Sequence, residues 1–379
     1  MQLTWDQVFT WRLARHYVSE SGPAVPAIVE RICGVQAQVG SAAETAVALR
    51  SAKPEPGALT RELGAGTLLK TWAMRGTLHA LTPRSAAAFL PLMAATRVWE
   101  KASWQKVFGA TPAEVAALTE AVPQVLADGP LTREELVEAL LADQAFHKLG
   151  EELKSGWGAL LKPLSWQGAL CHGAAQGNRI TFTTPAQLIP GWTDLPTAEE
   201  AGPVAVAAYL AAYGPATPET FDAWLSRGNN RKPAVRAWFS ALGDALTEVE
   251  IEGVRAYLRT EDVDELAAAT PRESVHLLGA FDQYVLGPGT KDTELLPAAH
   301  RSEVSKKAGW IAPIVVVDGR IAGTWELDGP DLSVALFDGA KLPAKRLDPA
   351  VARVAAALGL DAVKVRSAQT RPPSIPSTG

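Results

Sequence analysis

One eight-residue pattern occurs twice in the chain and constrains its fold more than any other feature. Gly129-Pro130-Leu131-Thr132-Arg133-Glu134-Glu135-Leu136 returns 85 residues later as Gly214-Pro215-Ala216-Thr217-Pro218-Glu219-Thr220-Phe221. Each copy is a turn, a threonine able to cap a helix, and an acidic first helical turn that runs into apolar residues at helical spacing. A helical stretch precedes each copy, 113–126 and 199–212, and another helix and then strand-like sequence follow it. The first unit ends in strand-like residues 178–183. The second ends in 245–251 and 254–259, with Glu252-Gly253 as a hairpin turn. Helices followed by a hairpin are the order of a winged helix, and the repeat length is close to domain size.

The N-terminal part reads the same way. Thr4 can cap a helix whose buried face holds Val8, Trp11, Leu13 and Tyr17. Pro26 opens a second helix with Ile28, Val29 and Ile32 as its apolar residues, and residues 42–49 form a third. A turn at 53–57 and a short helix at 58–63 lead to two strand-like runs, 68–74 and 77–82, around Arg75-Gly76. Residues 83–108 are helical, with Trp104, Val107 and Phe108 continuing the burial, and Thr111-Pro112-Ala113-Glu114 starts a new helix with a capping box. Beyond residue 261 the texture turns to strand: 275–278, 284–286, 314–317, 321–325 and 334–337, with Asp318-Gly319 as a hairpin and 349–358 as a closing helix.

The expected fold class is therefore α+β: tandem winged-helix (helix-turn-helix) domains with a C-terminal β-rich, barrel-like domain. The expected boundaries are 1–110 for the first winged helix and its connecting helices, 111–195 for the second, 196–262 for the third, 263–368 for the β-rich domain and 369–379 for a disordered tail.

Between the second and third helices, where an ordinary helix-turn-helix has its tight turn, stands Gly34-Val35-Gln36-Ala37-Gln38-Val39-Gly40. Apolar and polar residues alternate, the period of an extended segment that puts Gln36 and Gln38 on one side. A glutamine amide is not a general base near neutral pH. It can accept a water proton in a hydrogen bond, orient that water and set a carbonyl dipole near a developing positive charge. On spacing alone, the pair equally suits two surface amides of a helix-turn-helix touching phosphate or adenine. Glu44 is the nearest acid; it reads as an ordinary acidic helix residue, with a hidden general base as the other option.

Arg75 and His79 sit on the first wing, either as minor-groove or phosphate contacts or as an exposed turn Arg and a hydrogen-bonded His. Arg227, Asn229, Asn230, Arg231, Lys232 and Arg236 form the densest basic-polar run, at the start of the third winged helix's recognition-position helix. Phosphate contact is the expectation for Arg227, Arg231, Lys232 and Arg236. Arg301, Lys306 and Lys307 read as a solvated face, and Trp99, Trp104, Trp157 and Trp166 as core. Gly64-Ala65-Gly66-Thr67 and Gly287-Pro288-Gly289-Thr290-Lys291 lack the strand–loop–helix context of a phosphate loop, so no nucleotide cofactor is expected.

Composition removes other classes. With 379 residues, 47 % hydrophobic and 20 % charged, the chain suits two to four globular domains, and its net charge of −5 means that any nucleic-acid surface must be a local cluster. Its two cysteines and six histidines show no ligand spacing, so no metal is expected. The N-terminus is not a signal peptide and no apolar run reaches spanning length, which points to a soluble, cytoplasmic protein without a membrane partner.

Together these features resemble the AlkZ/YcaQ group of bacterial winged-helix DNA glycosylases. Gln36-Ala37-Gln38 resembles the group's Gln-Φ-Gln catalytic motif, with Φ small or apolar. Because the other arm carries Gln-Φ-Asp, Gln38 places the chain nearer the AlkZ arm. Trp72-Ala73-Met74-Arg75-Gly76-Thr77-Leu78-His79 resembles the hairpin that follows. Phe281-Asp282-Gln283-Tyr284-Val285-Leu286-Gly287, His300, Gly309-Trp310 and Gly323-Thr324-Trp325 resemble the C-terminal part. The chain departs from the broader family at residues 288–291, where a more polar loop with Tyr and Arg is usual.

The resemblance implies a C-shaped arrangement of the winged helices around duplex DNA, with Gln36 and Gln38 as catalytic residues. It also implies excision of bulky or crosslinked N7-alkylpurines, often as self-resistance to a DNA-alkylating natural product. The chemistry agrees, because a purine alkylated at N7 or N3 is already cationic and leaves as a neutral base. No lysine in the Gln segment suits a Schiff base, so a monofunctional enzyme is expected. It would act as a nucleoid-associated monomer on double-stranded DNA containing alkylated purines. The competing reading is a non-enzymatic winged-helix DNA-binding protein, a regulator or a lesion binder.

Overall fold

The structure is a computed structural model that describes residues 2–156 and 158–371. Trp157 and the end of the expected tail, 372–379, lie outside the described residues. Contacts group the chain into two units that do not follow chain order. One contains Met1–Thr60, Ala207–Thr220 and Gly243–Gly379; the other contains Arg61–Val206 and Phe221–Leu242.

In the first unit, Thr4 caps helix Trp5–Arg15 through a capping box with Gln7. The two residues before it, Gln2–Leu3, form a strand parallel to Leu246–Ile251, which pairs with Val254–Arg259. Leu3, Val8 and Trp11 pack with Val249, Ile251 and Leu258, so the first helix lies on the last hairpin of the expected third winged helix. Phe9 and Leu13, on the same helix, pack instead with Ile314, Val316 and Ile321.

Those residues belong to a five-stranded sheet: Val275–Leu278, Ile314–Val317, Arg320–Asp328, Asp331–Phe337 and Lys364–Arg371. The first four strands are antiparallel in sequence order, and the last joins Asp331–Phe337 in parallel. It therefore occupies residues 369–371 of the expected tail. Helix Ala344–Leu358 packs Val351 and Val354 against the sheet with Leu277, Val315 and Leu332.

One expected strand is a helix. Gln283–Leu286 makes a single helical turn because the Asp282 carboxylate caps it, accepting from Tyr284 N at 2.8 Å. The three-residue apolar run 284–286 suits strand or buried helix equally, and the cap decides.

In the second unit, Leu69–Trp72 and Leu78–Leu81 form the expected hairpin. Arg75 and Gly76 both have positive φ, as its two-residue turn requires. Lys70 then pairs with His172, so this hairpin shares a sheet with Cys171–His172, Thr181–Thr183 and Leu131–Thr132. The capping boxes Thr111/Glu114 and Thr132/Glu135 are present.

Helix Ala102–Phe108 corrects one expectation. Trp104 and Phe108 are only half-buried and Val107 is 70 % exposed, whereas Trp99 and Trp166 are core. Among the described residues no helix is long and apolar enough to cross a membrane.

Candidate active site

Helix Val25–Arg31 ends with Cys33 and Gly34 both at positive φ, so the chain turns sharply before the glutamines begin. Two bonds hold this turn to the residues that follow Ala207: Tyr213 Oη donates to Ile32 O at 2.6 Å, and Cys33 Sγ donates to Ala208 O at 3.3 Å. Val35–Gln36 is extended, and helix Gly40–Ala48 starts after Val39.

The extended piece is as expected, but its two amides are unequal. Gln36 is 7 % exposed and lies between buried Val35 and Ala37, whereas Gln38 is exposed at a bend. Three consecutive buried side chains do not alternate between solvent and core. The segment is enclosed up to Ala37 and opens only at Gln38.

Glu44 is committed elsewhere. Its carboxylate accepts from Leu59 N at 3.1 Å, Thr60 N at 2.8 Å and Thr60 Oγ1 at 2.6 Å. It thereby satisfies the orphan N–H groups that open helix Ala58–Gly64. The first acid after the glutamines is therefore a helix cap.

Two residues of this unit escaped sequence reasoning. Arg50 and Asp282 form a bidentate pair at 2.7 and 2.8 Å, and both side chains are 0 % exposed. Arg50 also donates to Ala46 O, on the helix that follows the glutamines. The pair ties that helix to the Phe281-Asp282-Gln283 block. The signal for Asp282 was the block itself; Arg50, alone in an apolar stretch, had none. Gly287 is explained here too, since a Cβ on it would stand 2.0 Å from the Tyr213 ring.

The wing residues are placed differently from each other. Arg75 is half-buried and donates to Trp224 O at 2.9 Å. His79 is fully buried, with Nδ1 on Thr77 O at 3.0 Å. Burial, and then the Arg75 charge, push its pKa down to about 3, so the ring is neutral. It is the hydrogen-bonded histidine of the second reading rather than a wing-surface group, because every residue of strand Leu78–Leu81 is buried.

Arg227, Arg231, Lys232 and Arg236 are all exposed, and none of their side chains has a hydrogen bond or ion pair among the described residues. Arg227 and Gly228 turn the chain at positive φ between helices Pro218–Ser226 and Lys232–Ser240. Asp222 fixes the turn from inside, accepting from Ser226 Oγ at 2.6 Å and Asn230 Nδ2 at 2.8 Å. Asn230 is thus a structural residue, while Asn229 accepts from Lys101 Nζ at 2.8 Å. Arg301 is held by Thr290, donating to its carbonyl at 3.1 Å. Among the described residues, no group of three or more His, Cys, Asp or Glu is placed to hold a metal ion.

Comparison with known proteins agrees with this geometry. The family described as AlkZ-like DNA glycosylases matches residues 29–360. A protein of Streptomyces sahachiroi named interstrand DNA cross-link repair glycosylase is 50 % identical over 369 residues, which is 97 % of this chain and 100 % of that protein. The solved structure of the Streptomyces sahachiroi DNA glycosylase AlkZ matches with a TM-score of 0.94 at 50 % identity, covering 97 % of this chain and 100 % of that one. These findings support a DNA glycosylase enzyme over a non-enzymatic DNA-binding protein. The chain belongs to the AlkZ-like DNA glycosylase family.

Proposed function

We propose that this glycosylase hydrolyses the N-glycosidic bond of cationic N7- or N3-alkylpurines in duplex DNA, including bulky adducts and interstrand crosslinks, without lyase chemistry. It would serve DNA repair or self-resistance to a genotoxic natural product, on chromosomal DNA in the cytoplasm. The crosslink named for the Streptomyces sahachiroi relative supports this substrate class. The observation that carries the reading is the pair of amides, with Glu44, the acid on the helix that follows them, spent on a helix cap.

Cleavage passes through an oxocarbenium-like sugar. Gln36, enclosed by Val35 and Ala37, places a desolvated carbonyl dipole where positive charge develops. Gln38, exposed, holds and orients the attacking water. Neither amide removes a proton or protonates the leaving base, so the lesion itself must supply a leaving group that departs neutral.

The test is a duplex carrying one N7-alkylguanine, followed by hot alkali to cut abasic sites. Gln36→Ala and Gln38→Ala each lower single-turnover release by about 100-fold or more, a range set by the loss of one preorganised donor or acceptor. Duplex binding persists in both. A double variant that releases base as fast as the parent removes the assignment.

A further inference from the structure

Lys162 stands in the run Leu160-Leu161-Lys162-Pro163-Leu164, on helix Leu161–Trp166, where sequence offers no reason to single it out. Its stem lies against the tip of the Arg75-Gly76 hairpin. A Cβ at Gly76 would stand 3.8 Å from Lys162 Cδ and 3.8 Å from the Trp166 ring. The side chain is half-buried, yet its ammonium has no hydrogen bond or ion pair among the described residues.

The same hairpin reaches a second cation, because Arg75 donates to Trp224 O at 2.9 Å on helix Pro218–Ser226, which runs directly into Arg227. Burial, and then the Arg227 guanidinium, lower the Lys162 pKa. Arg227 is likewise unbonded among the described residues, and the turn that carries it is fixed by Asp222, Ser226 and Asn230. The two cations, one partly desolvated, repel each other, and among the described residues no carboxylate is bonded to either. That arrangement costs stability in the free protein and is offset when an anion arrives.

We propose that Lys162 and Arg227 together bind one phosphate of the DNA backbone, beside the tip of the Arg75-Gly76 hairpin. The proposal rests on the duplex-DNA reading above but not on the lesion or on the glutamines. One phosphate bridging both groups would neutralise the repulsion and fix the register of the duplex on this unit. Phosphate contacts position a protein on DNA without reading its sequence.

The experiment measures binding of an undamaged, fluorescently labelled duplex by the full chain across a salt series. Lys162→Met keeps the apolar stem on Gly76 and Trp166 and removes the charge. It weakens binding several-fold on any sequence and reduces the slope of log affinity against log salt by about 1. Its thermal midpoint without DNA is equal to or above that of the parent, because an unpaired, half-buried cation has gone. Arg227→Gln behaves alike, and the double variant loses less than the product of the two single losses, since both groups serve one phosphate.

A Lys162→Met protein with the parent's salt slope overturns the proposal, as does fully multiplicative loss in the double variant. The failures separate cleanly. If the parent releases N7-alkylguanine while Lys162→Met keeps the parent's slope, this inference alone falls. If the slope changes but no alkylpurine is released, the substrate reading falls and the phosphate site stands.

Discussion

At the scale of single residues, the charged groups that matter most are those the interior has already used. Glu44 Oε1 and Oε2 receive three hydrogen bonds from residues 59 and 60, so Glu44→Ala costs about 1 kcal/mol of stability, the worth of a helix cap. Urea unfolding measures that loss. Single-turnover base release at saturating enzyme stays at the parent level. A 100-fold fall in release would identify Glu44 as the base instead.

Arg50 and Asp282 behave oppositely to a surface pair, because neither side chain is exposed. Asp282→Ala leaves a desolvated guanidinium and costs about 3–5 kcal/mol. Adding Arg50→Met recovers part of it, and the order of the three urea midpoints checks the account. Asp282 stood inside a recognisable motif, but its partner lies 232 residues away, a separation that no local pattern encodes.

At the scale of elements, local chemistry carries far. Three hairpins turn on a residue followed by glycine, both at positive φ: Arg75-Gly76, Glu252-Gly253 and Asp318-Gly319. The threonine caps are equally local. What local chemistry misses is context. Gly202 lies in helix Ala198–Tyr213, where Gly→Ala ordinarily stabilises by about 0.5–1 kcal/mol. Here a Cβ would stand 2.2 Å from the Trp238 ring, so Gly202→Ala is instead destabilising, by about 1–3 kcal/mol. Thermal denaturation of this one variant decides the sign. The same blindness to context explains Gln283–Leu286 and the exposed Val107: hydrophobicity shows that a residue can be buried, not that a surface exists to bury it.

At the scale of the whole molecule, the fold holds several histidines neutral. Burial pushes His79 and His172 down to about 3 and His276 to about 4, and holds His16 well below its ordinary value. The unfolded chain protonates these groups near 6.5, so it binds more protons than the folded chain below that pH. The resulting stability is fully present above about 6.5 and falls as pH drops toward 4. At pH 5.5 the loss is on the order of 1 kcal/mol per histidine. Urea midpoints at pH 7.5 and 5.5 measure it, and His79→Asn reduces the difference by one histidine's share. Midpoints independent of pH over that interval contradict the assignment.

The sequence by itself determined most of the elements, their order, the three X-Gly hairpins and the extended start of the glutamine segment, because each is set by contacts within a few residues. Only the tertiary structure decided which of those elements share a core. It joined Gln2–Leu3 to Leu246–Ile251 and Lys70 to His172. It buried Gln36 while leaving Gln38 exposed, buried His79, and spent Glu44 on a helix cap. These outcomes depend on long-range burial. A side chain's type sets what burying it costs, and only the packed chain sets whether that cost is met.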